Sequence, residues 1–489
     1  MKIKKINKNK IACVIGSGAS SYALLQRLIE QKKYSKIYIV TTGSFKQTYI
    51  LNNPSRSFNE NIRRNMFSLI PEKLLFGNNR IYKRTDAQEL NLEGYSIKTS
   101  HQFSGLVNIW GANVCFPTKN DIKKYPNLLA YVPYFKIIAK ILKVSGDSSW
   151  VSEKENYSKS FELFRSSRAN EFNQSCKKIR TKDFRAGSSI LAVNNEIENE
   201  AACQPCGKCL DGCERGSIFN LYREYANFLK INSKKVELLD NSRVCNINFN
   251  GNAFDVHYKK NGSKKTLSLK CVNVFLCAGV FDNSLILLKS NFFHEKKLKV
   301  LDSNKYYFLA LRSKYSSFKS EDKLGALSES FFQLDTPYGT IHSQLYPSTK
   351  LLTSLLDKFG FIKILAGFFS IGMIYLPSAL SNEIEVQLSD NDKIYLKNKK
   401  QNFALRFFYL IKLLYKTWYN LCSHGLFMLP YFKSCPAGNS QHSGSIQYNK
   451  KLIPKGLYLA DTSGLCYIPG TPTTALAMAH AMHIGDHHE

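Results

Sequence analysis

Two groups of residues in this chain have the types and spacing to do chemistry. The first is Gly16-Ser17-Gly18, set between a short apolar run, Ile11 to Ile15, and a stretch with apolar residues at helical spacing, Tyr22 to Gln31. Glycine at the first position permits a tight turn. Glycine at the third lets a pyrophosphate approach the backbone, where the N–H groups and dipole of a helix start favour negative charge. Ser21 stands where the dinucleotide fingerprint carries its third glycine; serine is small, so close packing of helix on strand survives. The turn predicts a dinucleotide site. The second group is Cys203-x2-Cys206-x2-Cys209-x3-Cys213, four thiols in 11 residues. This is the bacterial ferredoxin spacing for iron–sulfur ligation, whereas zinc usually takes two CxxC pairs separated by a longer loop. Glu214 replaces the proline that normally follows, and there is no second run. A single 4Fe-4S or 3Fe-4S cluster would use Cys203, Cys206 and Cys209, with Cys213 or a distant thiol such as Cys176. An empty, reduced Cys-rich loop is the plain alternative, and zinc or a disulfide a third.

The elements that position these groups follow from periodicity. Residues 11 to 42 read strand, turn, helix, strand, with KIYIV as the second strand; this βαβ unit favours a parallel sheet. The acidic residue that binds ribose hydroxyls about 20 positions after such a turn is missing. Thr41 or Thr42 offers a weaker hydrogen bond in its place. Residues 105 to 121 form a Gly-rich, aromatic loop, and a helix follows Pro126. Residues 145 to 200 are polar and irregular. A β-rich block runs from Val236 to Tyr258 and on to Val274 through Ala278. Residues 300 to 430 mix strand-like alternation (EIEVQL, KIYLKN) with two apolar helical stretches, and a strand (LYLAD), a loop and a helix (TTALAMAHAMH) follow later. Ile364 to Leu376 is 13 residues without a charge, short of the roughly 20 needed to span a bilayer. It reads as a buried helix passing into a strand, or as an apolar surface that dips into lipid.

Composition excludes several classes. With 489 residues, 44% apolar and 21% charged, the chain is a folded globular protein, long enough for two or three units of about 150 residues. Its 68 Lys and Arg against 37 Asp and Glu give a net charge of +31. The lysines are scattered and accompanied by Asn, Ile and Tyr, which indicates a solvated basic surface and argues against nucleic acid. Contact with an anionic membrane surface or a phosphorylated substrate fits the same charge. The 13 cysteines are odd in number and concentrated in one run, unlike a secreted disulfide framework. The start, MKIKKINKNK, is basic, but the apolar stretch behind it is too short for a signal sequence. These features together place the protein in the cytoplasm.

The segment GLYLADTSGLCYIPGTPTTALAMAHAMHIGDHH resembles the terminal signature of the glucose–methanol–choline (GMC) oxidoreductases. There a strand, a loop ending in Gly and X-Pro-Thr, and a small-residue helix close over FAD. Further motifs agree in the family's order. VIGSGASSYALL is similar to the FAD fingerprint, GLVNIWGANVCFP to the loop that covers the flavin, and SRVCNI to the strand whose Val backbone contacts adenine. VFLCAGVFDNSLILLKS is similar to the strand and helix that follow, and SCPAGNSQHSGSI to the segment carrying the active-site His. Residues 300 to 430 give almost no match.

The resemblance implies an α/β fold: a Rossmann-like FAD-binding domain (1–145, 201–300 with the Cys-rich segment, and 431–489) and an α+β substrate domain on an antiparallel sheet (146–200 and 301–430). It implies FAD contacts from Gly16, Gly18, Ser21 and Thr41, from Asn108, Trp110 and Gly111, from Val244, Ala278 and Gly279, from Asp461, and from Gly470, Pro472 and Thr473. Thr471 is a plausible N-cap with Pro472 at the first helical position, a helix start that stabilises negative charge on a reduced flavin. His442 would be the base that takes the hydroxyl proton while hydride leaves carbon for flavin N5. Thr471 stands where the family usually has a second His or Asn, which leaves the base role to His442. His480, His483, His487 and His488 read as structural or solvated.

CGKCLDGCERGSI resembles a Cys-rich stretch of some GMC branches, including long-chain alcohol oxidase-like and bacterial polysaccharide-locus members. A cluster near flavin would pass electrons to a protein acceptor or quinone, which makes the expected activity a dehydrogenase acting on an alcohol, a sugar or a lipid-linked sugar at the CH–OH group. Peripheral contact with the inner membrane face fits such a substrate. An electron-transfer flavoprotein or flavin reductase that reduces its substrate, and a flavin-binding protein without turnover, are the competing readings.

Overall fold

The computed structural model describes residues 10–46, 90–93, 100–146, 167–176, 179, 181–195, 202–204, 209, 213, 215–290, 292–293, 296–312, 327–346, 368–389, 394–399, 403–434, 444–447 and 452–489. Its helices include α1 (Ala19–Gln31), α2 (Leu221–Ile231), α3 (Val280–Lys289), α4 (Phe403–Leu421) and α5 (Thr474–His487).

The expected βαβ unit is present. Strands Ile11–Ile15 and Lys36–Val40 pair in parallel around α1. Asn273–Leu276 adds on one side and Val236–Leu239 on the other, and Leu457–Leu459 completes a five-stranded, all-parallel sheet in the order 457–459, 273–276, 11–15, 36–40, 236–239. Its central strands are buried on both faces, which is why they read as continuous β-branched and apolar runs.

Helices α1 and α5 pack together on this sheet. Leu24, Leu25 and Leu28 of α1 and Ala475, Met478, Ala479 and Met482 of α5 are all buried. The small residues of α5 allow close approach: a Cβ added at Gly485 would sit 2.7 Å from Arg27 Cβ. Arg27 clamps Asp486 through two bonds of 2.8 and 2.9 Å, and the same carboxylate accepts from Tyr134 Oη at 2.9 Å and Gln31 Nε2 at 3.0 Å. Partial burial works against that charge, but the three donors outweigh it and hold Asp486 below the usual carboxylate range. A lowered carboxyl contributes stability above its unfolded pKa and loses it as pH falls through the folded value. Asp486→Asn is expected to cost about 1–3 kcal/mol at neutral pH and to lose that cost in acid. Denaturant midpoints identical to the parent at both pH values would remove the clamp from the account.

The second major layer is a six-stranded antiparallel sheet in the order 426–434, 305–312, 369–375, 339–346, 330–336, 184–188. Helix α4 covers one face of it with Leu410, Leu413 and Leu414. The charge-free stretch from Ile364 is thus corrected in part: Phe369–Tyr375 is an interior strand of this sheet, not a surface in lipid, and residues 364–367 lie outside the described residues. EIEVQL and KIYLKN form an antiparallel hairpin, Glu383–Leu388 with Ile394–Lys399, within a mixed five-stranded sheet. A three-stranded sheet, Ser242–Phe249, Phe254–Lys260 and Thr266–Cys271, carries Val244. The architecture is therefore α/β with a Rossmann-like parallel sheet and a separate antiparallel sheet, as expected. Among the described residues no helix is long and apolar enough to cross a membrane.

Candidate functional site

The Gly-rich turn opens onto a cleft with about 1280 Å³ of free space, part of it open to solvent. Gly16, Gly18, Thr41, Val244, Ala278, Gly279 and Asp461 line it, together with Ser104 to Val107. Gly16 leaves the strand at φ +107°, and its N–H donates to Val40 O at 2.8 Å. A Cβ there would lie 2.4 Å from Cys277 O, so only glycine allows the turn to touch the neighbouring strand. A Cβ at Gly18 or Gly279 would meet nothing within 4 Å. At these positions the missing side chain leaves open space beside the backbone.

Three helix starts reach this cleft. Gly18 begins α1, Gly279 begins α3 and Thr473 begins α5, and none of them makes a side-chain capping bond. Residues 18–20, 279–282, 474 and 477 form part of the lining. Helix starts carry unsatisfied N–H groups and partial positive charge, so those of α1 and α5 favour an anionic occupant, whereas at α3 Asp461 on Gly279 N and Asp282 in the first turn already supply negative charge. The Ser104 hydroxyl, buried in the same wall, has no hydrogen-bond partner. An anionic dinucleotide such as FAD fits these features: open backbone at two glycines, the α1 and α5 starts and a buried hydroxyl to be satisfied.

Asp461 holds two of these elements together. Its carboxylate accepts from Gly279 N at 2.8 Å, from Asn283 Nδ2 at 3.0 and 3.1 Å, and from Ser463 N at 2.9 Å and its hydroxyl. Burial pushes its carboxyl above the usual range, against those bonds. Thr41 lines the cleft with its hydroxyl on Ser17 Oγ at 2.9 Å, and Ser17 Oγ in turn accepts from Ser104 N at 3.2 Å. Through Ser17 Oγ, these bonds tie the turn to the backbone of the covering loop.

Other expected residues stand behind the lining. Ser21 is fully buried and accepts from Tyr225 Oη of α2 at 2.9 Å, a contact between two helices. In the aromatic loop, Gly105 to Val107 line the cleft, whereas Asn108, Trp110 and Gly111 do not. Asn108 donates to Phe103 O at 2.7 Å and Trp110 to Phe219 O at 3.4 Å, so both shape the loop from behind.

The start of α5 differs from the expected one. The cap is Thr473 and the first helical residue Thr474, not Thr471 and Pro472. Gly470 bridges to Ile341 of the antiparallel sheet, and a Cβ on it would lie 2.4 Å from Thr340 O. Docking on that sheet keeps the backbone from turning helical until Thr474, and Thr471 is buried there. His442 lies outside the described residues.

Of the thiol run, Cys203, Cys209 and Cys213 are described and Cys206 is not. Among the described residues no group of His, Cys, Asp or Glu could hold a metal. Cys213 Sγ accepts from Ser217 N at 3.2 Å, and the Cys203 backbone donates to Asn194 O at 2.8 Å. Cys176 is corrected as a distant ligand: it is buried in the core of the antiparallel layer, whereas the three described thiols pack on the core of the parallel sheet. His480 is structural, placed between Leu459 O at 2.9 Å and Tyr131 Oη at 3.1 Å.

Sequence reasoning missed a polar group on the antiparallel sheet. His342 is buried beside Cys115 Sγ (3.7 Å), Gln333 (3.1 Å) and Gln344 (3.3 Å), next in sequence to the residue that bridges Gly470. Burial, with Arg185 nearby, pushes its pKa down to about 3, so the ring is neutral. The run Thr340-Ile341-His342-Ser343-Gln344-Leu345 is mostly polar and carries no core signature, and only the packing shows both faces covered.

No family model matches the chain, and no curated protein matches it. Solved structures do. A fungal aryl-alcohol oxidase superposes with a TM-score of 0.59 at 10% identity, covering 98% of this chain and 99% of its own. The formate oxidase of Aspergillus oryzae RIB40, in a structure concerned with FAD modification, gives 0.53 at 11% identity and covers 97% of each chain. Along nearly their whole lengths, this chain and those two oxidases share one fold.

Proposed function

We propose that the protein is an FAD-dependent oxidoreductase of the GMC type that acts on a CH–OH donor, with a sugar or lipid-linked sugar as the substrate class. The observation that carries this reading is the meeting of the α1 and α5 starts and two open glycine backbones in one cleft. The shared fold with two oxidases and the ordered motifs support it. The substrate class rests on the likeness of the Asn108-Ile109-Trp110-Gly111 loop to polysaccharide-locus relatives.

Bound FAD supplies a hydride acceptor. The chain's own residues do the rest. The start of α1 would bind the pyrophosphate. Val244 borders the adenine end, and Asp461 fixes the α3 start. The start of α5 stabilises negative charge on the flavin ring. His442 takes the hydroxyl proton as base, with Thr471 at the position of the family's second active-site residue. In this division 146–200 joins 301–430, as the pairing of Phe184–Ser188 with Ser330–Thr336 supports. No electron-transfer step is assigned to the thiol run, since among the described residues no group of three or more His, Cys, Asp or Glu could hold a metal.

The visible spectrum of the purified protein tests the reading. Flavin absorbance is expected, either as isolated or after adding FAD, and it should bleach with an alcohol or sugar donor under anaerobic conditions. A well-folded protein that stays colourless and takes up no FAD would end it. Bleaching only by artificial reductants would favour a flavin reductase. Iron and brown absorbance after anaerobic purification would establish the cluster, and iron-free protein with full flavin would exclude it.

A further inference from the structure

Helix α4 carries apolar residues on two sides, and among the described residues only one of these sides is covered. Leu410, Leu413, Leu414 and Leu421 pack on the antiparallel sheet. On the other side Phe407, Phe408, Ile411, Tyr415, Trp418 and Tyr419 are 40–74% exposed. At 3.6 residues per turn they share an arc of about 120° along the helix. Tyr415 and Tyr419 stack at 6.3 Å, and Phe403 extends the ladder onto Phe407 at 6.4 Å. The helix FALRFFYLIKLLYKTWYNL contains no acidic residue. Its Lys412 and Lys416 lean away from this arc onto Asp183, at 3.9 and 2.8 Å.

We propose that this face is a membrane-docking surface that lies in the headgroup region of an anionic bilayer. An apolar helix face is normally buried, and a contiguous exposed apolar patch marks an interaction site. Phe and Ile suit the acyl boundary, while Tyr and Trp prefer the interface with water. A 19-residue helix is about 28 Å long, enough to lie in the plane of the membrane. The choice between a bilayer and a second copy of the chain is made by charge. Each copy carries +31, so two copies repel, whereas an anionic bilayer attracts the chain as a whole. The surface owes nothing to the nucleotide reading, so flavin-free protein should dock as well as flavin-loaded protein.

Flotation of the full chain with vesicles of phosphatidylcholine, with and without phosphatidylglycerol, tests this. The protein should float with the anionic vesicles, and less in high salt. The double variant Ile411→Glu with Tyr415→Glu should lower partitioning by about tenfold or more. Ile411→Leu with Tyr415→Phe should keep it within about twofold. Should the glutamate pair unfold the protein, quenching of the parent's tryptophan emission by brominated acyl chains, abolished in Trp418→Phe, reports the same contact. Parent protein that remains at the bottom with both vesicle types overturns the proposal. So does a glutamate variant, folded by thermal melting, that floats like the parent. A dimer that the glutamate pair dissolves, with no flotation, would assign the face to a second copy instead.

Discussion

Gly16→Ala should yield a protein that melts early and loses its flavin on gel filtration. The new Cβ would sit 2.4 Å from Cys277 O and 2.7 Å from Cys277 C, both backbone atoms of the adjoining strand segment. At φ +107° no L-residue is comfortable, so rotation at that position offers no escape. Strain and clash together should cost at least about 3 kcal/mol. Gly18→Ala makes the contrast: at φ −76° with nothing within 4 Å, it leaves the flavin-free protein's melting unchanged. It should still weaken FAD binding, because the added methyl occupies the space beside the helix start where the pyrophosphate would lie. Wild-type melting in Gly16→Ala would refute the turn's role in the fold. Undiminished FAD affinity in Gly18→Ala would place the pyrophosphate elsewhere.

His442→Ala should retain flavin and lose substrate-driven bleaching by about 10²- to 10⁴-fold, the range for a general base. A base works deprotonated, so the parent's rate should rise with pH through an imidazole pKa near about 6.5 and then level off. The variant should lack that rise. His342 offers no substitute: buried, with its pKa pushed down to about 3, it stays neutral across the working range. Bleaching at the parent's rate, or an unchanged pH profile, would take the base role away from His442.

The parts of the fold legible in the sequence are those specified locally. The strand–turn–helix at Ile11–Gln31 combines a β-branched run, a glycine that must turn and a helical period, all within reach of one another. The hairpin Glu383–Leu388 with Ile394–Lys399 alternates cleanly along its first strand. Phe184–Ser188 was not legible. FRAGS has no strand signature, and it is held by its partner Ser330–Thr336 and by Arg185 reaching Gln333 and Asp335. The start of α5 was misplaced by two residues for a similar reason: the pull of the antiparallel sheet on Gly470 outweighs proline's preference for a first helical turn. Within the cleft, the glycines announced themselves, whereas the link from the Thr41 hydroxyl through Ser17 Oγ to the Ser104 backbone N–H joins three segments that no sequence window contains. The outer face of α4 escaped notice because a helix rich in Phe, Leu and Tyr reads as core, and only the packing shows which side is covered.

The clamp between Arg27 and Asp486 joins residues 459 positions apart. During synthesis, the first βαβ unit emerges while the helix that covers it does not yet exist. Until Thr474–His487 leaves the ribosome, the apolar side of α1 that this helix covers has no partner, and one wall of the cleft is missing. Completion of the cleft must therefore wait until that helix has been synthesised, and nascent chains of this protein should depend on chaperone cover until then.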